Sequence, residues 1–263
     1  MLMPQITDIL AEIERLAPLS LQEEYDNAGV QAGNVHQSAT GAILCLDVTE
    51  AVVDEALAKG CNLIISHHPL LFKPIKSLTG VTSAERCLIK ACRHNLVIYA
   101  AHTNLDNAKD GVNYRLADII GLQSPRILSP QPARTDAGSG IIGELPAETD
   151  PAAFLLHLKE LFALSSLRHS LLPRKPVKKI ALCGGSGAFL IKEAISQDAD
   201  VFITGEAKYN DFYDVENHLL LAVIGHYESE VCTKDIFYSI LKQKFPTFAA
   251  HFSNVQVNPV KYL

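Results

Sequence analysis

Short apolar runs alternate with helical hydrophobic patterns along the first half of the chain. The apolar runs have the length and composition of buried strands, and the segments between them place apolar residues at helical spacing. In chain order, the pattern predicts strands at 42–46, 62–65 and 96–101, and helices at 50–59, 82–94 and 111–120. Because such alternation is typical of crossover connections, it predicts a mostly parallel sheet.

Residues 122–138 interrupt this alternation. The segment contains Pro125, Pro130, Pro132 and Gly138 among polar residues, a composition that predicts a linker. Beyond it, the pattern predicts strands at 141–145, 180–183, 201–204 and 219–224, and helices at 152–162 and 189–196. The sequence therefore predicts an α/β fold of two α/β lobes with mostly parallel sheets.

Composition narrows the class of protein. The 263 residues, 48% of them hydrophobic, suffice for a sizeable core in one or two domains. The net charge is −6 and no long basic run occurs, so the composition carries no nucleic-acid footprint. Six cysteines without a CxxC pair favour free thiols in a reducing compartment over a thiolate metal site.

The N-terminal segment predicts a helix rather than a secretion signal. Ile6, Ile9, Leu10, Ile13 and Leu16 recur at helical spacing and are interrupted by acidic residues, whereas a signal peptide has a continuous apolar region. No stretch approaches the ~20 apolar residues of a membrane span. We therefore expect a cytoplasmic protein without a membrane-spanning segment.

Histidines follow three of the predicted strands. His67 and His68 come after the second strand, and His102 comes directly after the third. Asp106 lies four residues beyond His102, and His226 follows the last predicted strand. Open parallel sheets place their ligand sites at the carboxyl ends of strands, because the loops of neighbouring strands converge there.

A carboxylate accompanies His226. If the following segment is helical, His226 and Glu230 share one face, whereas Glu228 points roughly the opposite way. Imidazole and carboxylate groups suit divalent zinc, iron or manganese. Three histidines and two carboxylates exceed the about three protein ligands of a catalytic zinc, so they favour two ions ~3.5–4 Å apart. The five candidate ligands are His67, His68, Asp106, His226 and Glu230.

A structural interpretation competes with this metal site. A single histidine near a strand end is more often a hydrogen-bonded residue of the surface or the core. The adjacent His-His pair and the segments HTNLD and GHYESE, at three different strand ends, favour the metal site. The structural interpretation is kept for the remaining histidines, which are His36, His94, His157, His169, His218 and His251.

Glycine-containing segments also follow predicted strands. Gly184-Gly185-Ser186-Gly187 lies between a strand and a helix, where backbone N–H groups can bind an anion, although it matches neither a P-loop nor GxGxxG. A tight turn is the interpretation that the sequence favours there and at Thr204-Gly205-Glu206, which could otherwise face a substrate. Asp26-Asn27-Ala28-Gly29 has the local chemistry of a plain turn.

Six segments together resemble the family of GTP cyclohydrolase 1 type 2 homologs, also called Nif-three-like proteins. They occur in the family's order over most of the chain, and their combination is highly specific. The segments are Asp26–Gly29, Ser66–Leu70, His102–Asp106, Gly184–Gly187, Thr204–Glu206 and Gly225–Glu230.

The resemblance implies a two-lobed α/β subunit with a dinuclear metal site in the cleft between the lobes. It implies that the five candidate ligands bind metal and that His102 supports a ligand or faces the substrate. In the family the C-terminal segment packs back onto the N-terminal lobe, which implies lobes of 1–125 with 219–263 and of 126–218. The family also implies a homohexamer. Asn210 stands where many relatives carry a histidine, so the role of that histidine is not carried over.

Two functions fit these expectations. The first is a metal-dependent hydrolase that acts on a nucleotide or another phosphorylated, ring-containing metabolite, in line with the family name. The alternative is a non-enzymatic metal-binding protein with a regulatory or carrier role. An open coordination position facing a cleft would favour the enzyme, whereas closed coordination would favour the alternative.

Overall fold

The strands of the computed structural model form two sheets, and the residues described are 3–132, 134–255 and 258–263. The strands are β1 (Gly29–Ala32), β2 (Ala42–Cys45), β3 (Leu63–Ser66), β4 (Val97–Ala100), β5 (Gln123–Gln131), β6 (Arg134–Thr149), β7 (Arg168–His169), β8 (Val177–Cys183), β9 (Val201–Thr204), β10 (Leu220–Val223) and β11 (Ala250–Phe252). The α-helices are α1 (Ile6–Leu16), α2 (Glu50–Ala58), α3 (Ser83–Arg93), α4 (Thr103–Asp106), α5 (Val112–Ile120), α6 (Pro151–Leu161), α7 (Ile191–Ser196), α8 (Asp211–Asp214), α9 (His226–Glu230) and α10 (Thr233–Lys244). None of these helices combines the length and the hydrophobicity that a bilayer span requires.

The chain divides into two units whose boundaries differ from those of the predicted lobes. The first unit comprises residues 1–105 and 233–259, and the second comprises residues 106–232 and 260–263. The predicted boundaries lie at 125/126 and 218/219; the difference arises because β5 and β10 both belong to the sheet of the second unit. Residues 1, 2, 133, 256 and 257, which the predicted lobes and linker include, lie outside the described residues.

The first unit contains a sheet with the strand order β1-β4-β3-β2-β11. Strands β2, β3, β4 and β11 run parallel, and β1 pairs with β4 in the antiparallel sense. Every residue of β2, β3 and β4 is buried, and Ile43 and Ile64 of the sheet share one core with Val53 of α2. Burial on both faces explains why these strands are continuous apolar runs in the sequence.

The second unit contains a sheet with the order β5-β6-β8-β9-β10-β7. Its strands β8, β9 and β10 run parallel, and antiparallel pairs lie on both flanks of them. Phe202 and Leu221 of the sheet share a buried core with Ile191 of α7. The predicted α/β class with two sheets is confirmed. Parallel pairings predominate in the first sheet, whereas three of the five pairings in the second sheet are antiparallel, which the sequence pattern did not indicate.

Where the sequence predicts a linker, at residues 122–138, the described residues belong mostly to a hairpin of β5 and β6. Strand β5 pairs with β6 in the antiparallel sense, from Gln123 opposite Glu144 to Gln131 opposite Arg134. The prolines are tolerated because β5 is an edge strand, where a missing N–H need not pair with a neighbouring strand. The linker prediction was therefore wrong. Pro125 and Pro130, which suggested a linker, lie in a strand at the edge of the sheet.

Candidate metal centre

The parallel strands of the first sheet lead to polar side chains at their carboxyl ends. Strand β2 leads to Asp47, and its neighbour β3 leads to His67 and His68. Strand β4, on the other side of β3, leads to His102. The rings of the three histidines cluster at this edge, with centroids 5.0 to 5.5 Å apart. The strand order therefore brings together side chains that are far apart in the sequence.

Each of the three rings is held through its Nδ1 atom. His67 Nδ1 lies 2.8 Å from a backbone carbonyl oxygen. His68 Nδ1 lies 2.8 Å from Asp47 Oδ1, and His102 Nδ1 lies 2.7 Å from an oxygen of Asp26. Carbonyl and carboxylate oxygens only accept, so each Nδ1 carries the donated proton. In all three rings Nε2 is therefore the nitrogen that can bind a metal ion.

The three histidines form a group with the composition of a metal site. Each offers one ligand atom, and these atoms lie within 4.8 Å of one another. His67 is fully buried, whereas His68 and His102 are half-buried. Histidines that bind metal typically donate their other ring N–H to a carboxylate or a carbonyl, as these three do. His102 is thus grouped with two predicted ligands, in addition to the supporting or substrate-facing role that the resemblance implies.

Asp26 holds His102 from a position shielded from solvent. Its carboxylate accepts hydrogen bonds from His102 Nδ1, from the Thr103 backbone N–H and from the Thr103 hydroxyl. Burial acts to raise the pKa of this carboxyl, but the hydrogen bonds from His102 and Thr103 outweigh burial and lower the pKa to about 2. Asp26 is therefore ionised at neutral pH, and its charge keeps the proton of His102 on Nδ1.

The second unit places polar groups at the carboxyl ends of β8, β9 and β10, which are parallel neighbours. Strand β8 leads to the turn 184–187, named here the glycine turn, and β9 leads to Glu206. Strand β10 leads to α9, which begins at His226 and ends at Glu230. His226 Nε2 lies 2.9 Å from Glu230 Oε2, and His226 Nδ1 lies 3.0 Å from Glu206 Oε1. The helical placement of His226 and Glu230 on one face is confirmed.

Asp106 and Glu230 lie near the same buried thiol of the second unit. Burial raises the pKa of Cys183, and the negative charges of Asp106 and Glu230 raise it further. The backbone carbonyl of Asp106 accepts a hydrogen bond from the Asn113 side chain at 3.0 Å, which fixes the end of α4. Both predicted carboxylate ligands therefore belong to one region of this unit, with Glu230 only 4% exposed.

The N–H groups of the three glycines in the glycine turn are hydrogen-bonded within the protein. The three glycines donate to side-chain oxygens of Asn113, Ser229 and Thr204 at 2.9 to 3.0 Å. Gly185 has φ +56°, and a Cβ at this position would overlap Oε1 of Glu230. The glycines therefore permit Glu230 to approach the backbone closely. This supports the tight-turn interpretation over an anion-binding loop.

Comparison with known proteins places this arrangement in a family. A model of Duf34/NIF3 (NGG1p interacting factor 3) matches residues 4–259. The chain belongs to the DUF34/NIF3 family. A GTP cyclohydrolase 1 type 2 homolog of Clostridium acetobutylicum is 36% identical over 229 residues, which cover 86% of this chain and 85% of that protein. The family resemblance carried by the six sequence segments is therefore confirmed.

Solved structures of other proteins share the fold. A hypothetical protein of Staphylococcus aureus superposes with a TM-score of 0.90 at 28% identity, covering 98% of this chain and 99% of that one. Reduced HcgD from Methanocaldococcus jannaschii superposes with a TM-score of 0.81 at 26% identity, covering 95% of this chain and 98% of that one. Both cover nearly the whole of this chain, so the likeness extends to both units.

Sequence reasoning missed the carboxylates that support the histidines of this DUF34/NIF3 chain. Asp26 lies in a segment interpreted as a plain turn, and Glu206 lies in another. Asp47 is not among the residues that the sequence predicts for the site, although it follows the apolar strand β2 just as His67 follows β3. A search for acidic residues at every predicted strand end would have found Asp47 and Glu206. Asn210 is exposed just before α8, and among the described residues no contact assigns it to the site.

Proposed function

We propose that this DUF34/NIF3 protein binds two divalent metal ions and uses them for hydrolysis. The observation that carries the proposal is the group of three histidines in the first unit, whose Nδ1 atoms are each fixed by an acceptor. The second unit offers His226 and Glu230 as a neighbouring pair, with Asp106 as a further carboxylate. The proposed ligands are His67, His68, Asp106, His226 and Glu230.

The number and chemistry of these groups support two ions rather than one. A catalytic zinc takes about three protein ligands and keeps one position open. Five protein ligands therefore suit two ions ~3.5–4 Å apart that share a carboxylate or a water molecule. Imidazole nitrogen and carboxylate oxygen together suit zinc, iron or manganese.

The residues around the histidines support a hydrolytic role. A bound divalent ion lowers the pKa of a water molecule toward neutrality and polarises a substrate oxygen. Asp26 keeps a proton on His102 Nδ1, so His102 Nε2 is able to accept a proton and to return it. Asp47 orients the His68 ring in the same manner. The proposed substrate is a nucleotide or another phosphorylated, ring-containing metabolite, which the name of the Clostridium acetobutylicum relative supports.

Protein purified without chelator and without a metal-binding tag should contain about two ions per chain, because five ligands exceed the needs of one. Elemental analysis by mass spectrometry measures the content and identifies the metal. A content well below one ion per chain would contradict the dinuclear site. A screen of nucleotides and phosphate esters on the same sample separates the hydrolase from the metal carrier, since only the hydrolase releases a product.

The family resemblance supports a homohexamer, and we expect the protein to assemble as one. Closed symmetric oligomers have a fixed number of subunits, so their mass stays constant on dilution down to the dissociation constant. Light scattering coupled to size-exclusion chromatography should give a mass six times the 28.7 kDa of one chain. A monomer at micromolar concentration would count against the hexamer.

Thiol chemistry supports the proposed cytoplasmic location. The six cysteines, all within the described residues, form no disulfide, and all except Cys92 are buried. Disulfides persist in oxidising compartments, whereas free thiols are the rule in the cytoplasm. Burial also raises the pKa of the Cys45 thiol, which keeps this sulfur protonated and unreactive.

A further inference from the structure

A cavity in the second unit adjoins the side chain that supports His226. Glu206 lines the cavity and bonds in two directions, to the Ser186 hydroxyl at 2.6 Å and to His226 Nδ1 at 3.0 Å. Ser186 lines the cavity as well. The volume of the cavity is about 610 Å³, within the range of small-molecule sites. One wall of the cavity is thus hydrogen-bonded directly to a proposed metal ligand.

Two cations line this cavity without an acidic partner. Within the ranges that the structure describes, neither Arg168 nor Lys208 forms an ion pair, although both contribute to the lining. The guanidinium of Arg168 lies 5.8 Å from the centre of the Phe212 ring, a cation–π contact that leaves its edge available for hydrogen bonds. Arg168 and Lys208 together match the double negative charge of a phosphate monoester.

The acidic groups of the lining are already bonded to donors of the protein. Glu206 accepts a hydrogen bond from the Ser186 hydroxyl at 2.6 Å through one oxygen, and its other oxygen lies 3.0 Å from His226 Nδ1. Asp211 accepts from the backbone N–H of Lys208 at 2.6 Å. The lining holds as many acids as cations, but only the cations keep charged donors available. This favours a ligand whose acceptors meet Arg168 and Lys208.

An exposed aromatic ring completes the cavity. Phe189 lines it and keeps 68% of its surface exposed, although a phenyl ring is normally buried in a folded protein. Such a ring offers a flat apolar face on which a planar heterocycle can stack. A ligand that joins an aromatic ring to a phosphate would therefore satisfy both Phe189 and the two cations.

We propose that this cavity binds a phosphate monoester that carries an aromatic ring, with Arg168 and Lys208 on the phosphate and Phe189 stacked on the ring. The inference rests on the proposed hydrolase, for which it names the substrate-binding residues. It also assigns anion binding to side chains, since the N–H groups of the three glycines in the glycine turn are hydrogen-bonded within the protein.

Isothermal titration calorimetry with AMP, GMP, adenosine, guanosine and inorganic phosphate tests the proposal. At least one monophosphate should bind about tenfold or more tightly than its nucleoside and than phosphate, because hydrogen bonds to charged groups are strong. Arg168→Gln and Lys208→Gln should each weaken the binding of the monophosphate about tenfold and leave the binding of the nucleoside unchanged. Phe189→Ala should weaken the binding of the nucleoside and of the monophosphate alike, by about fivefold or more. It should leave the affinity for inorganic phosphate unchanged.

Matched variants control for general charge effects. Arg174→Gln and Lys192→Gln remove exposed cations that do not line the cavity, and both should bind the monophosphate as the unmodified protein does. The proposal is overturned if neither monophosphate binds below about 1 mM, or if the control variants weaken binding as much as the cavity variants. Metal content is measured on every sample. If protein that contains its metal binds no monophosphate, the ligand proposed for the cavity is wrong and the metal site stands. If protein without metal still binds a monophosphate, the metal site is wrong and the ligand proposed for the cavity stands.

Discussion

Glu230→Gln should strip the protein of metal, whereas Glu228→Gln should leave the metal content unchanged. Glutamine nearly preserves the volume of glutamate but lacks the charge that holds a cation. Glu230 is 4% exposed and its Oε2 lies 2.9 Å from His226 Nε2, so its charge is placed beside a second ligand. Substitution of a residue that only hydrogen-bonds to a metal ligand lowers metal affinity about 10–100-fold. Substitution of a ligand itself should lower the affinity at least as much.

Asp106→Asn extends the same test to the other proposed carboxylate ligand. It should lose metal like Glu230→Gln, because it too removes a charge while the apolar strands stay intact. Elemental analysis and circular dichroism are measured together on the three variants, so that loss of metal is separated from loss of fold. If Glu228→Gln loses metal while Glu230→Gln retains it, the assignment of the ligand on α9 is wrong.

Gly185→Ala should both destabilise the second unit and lower its metal content. A Cβ at this position would overlap Oε1 of Glu230, and the left-handed backbone, with φ +56°, disfavours alanine in addition. Forcing a group into a packed site costs roughly 1–3 kcal/mol of unfolding free energy beyond the backbone strain. Because Glu230 is the group that must move, the substitution should lower the metal content as well as the stability of the unit.

Gly121→Ala is the matched control for this substitution. Gly121 lies in the same unit with φ +80°, and in the part of the chain that the structure describes no atom outside its own neighbours lies within 4 Å of the position of an added Cβ. This variant should lose only the backbone term, on the order of 1 kcal/mol, and keep its metal. Urea unfolding and elemental analysis compare the two. Equal results for Gly121→Ala and Gly185→Ala would show that the contact with Glu230 has no energetic weight.

The strands that carry the histidines could be predicted from the sequence because their burial is complete. Each residue of β2, β3 and β4 is buried, so the strands are unbroken apolar runs, and no predicted bound differs from the observed one by more than one residue. Once the strands were known, the histidines at their ends could be predicted to converge. The principle that parallel strands end at one edge does not depend on the details of the loops.

Other parts of the molecule could not be predicted because they depend on contacts that are distant in the sequence. Asp26 bonds to His102 across 76 residues, and its own neighbourhood has only the chemistry of a turn. The prolines of β5 resemble those of a linker unless it is known that β5 lies at the edge of a sheet. Strand β11 is three residues long and has no repeating pattern of its own, so only its pairing with β2 defines it.

Strand β11 also has a consequence for synthesis on the ribosome. The first sheet needs β11 beside β2, with Ala250 opposite Ala42, so the segment before Leu105 emerges with one edge of this sheet incomplete. The second unit consists almost entirely of one continuous stretch of the chain, so it can fold before β11 is available to pair with β2. At ~5–20 residues per second the wait lasts roughly 7–30 s. During that time β2 presents an unpaired strand edge, which is a template for pairing with another chain.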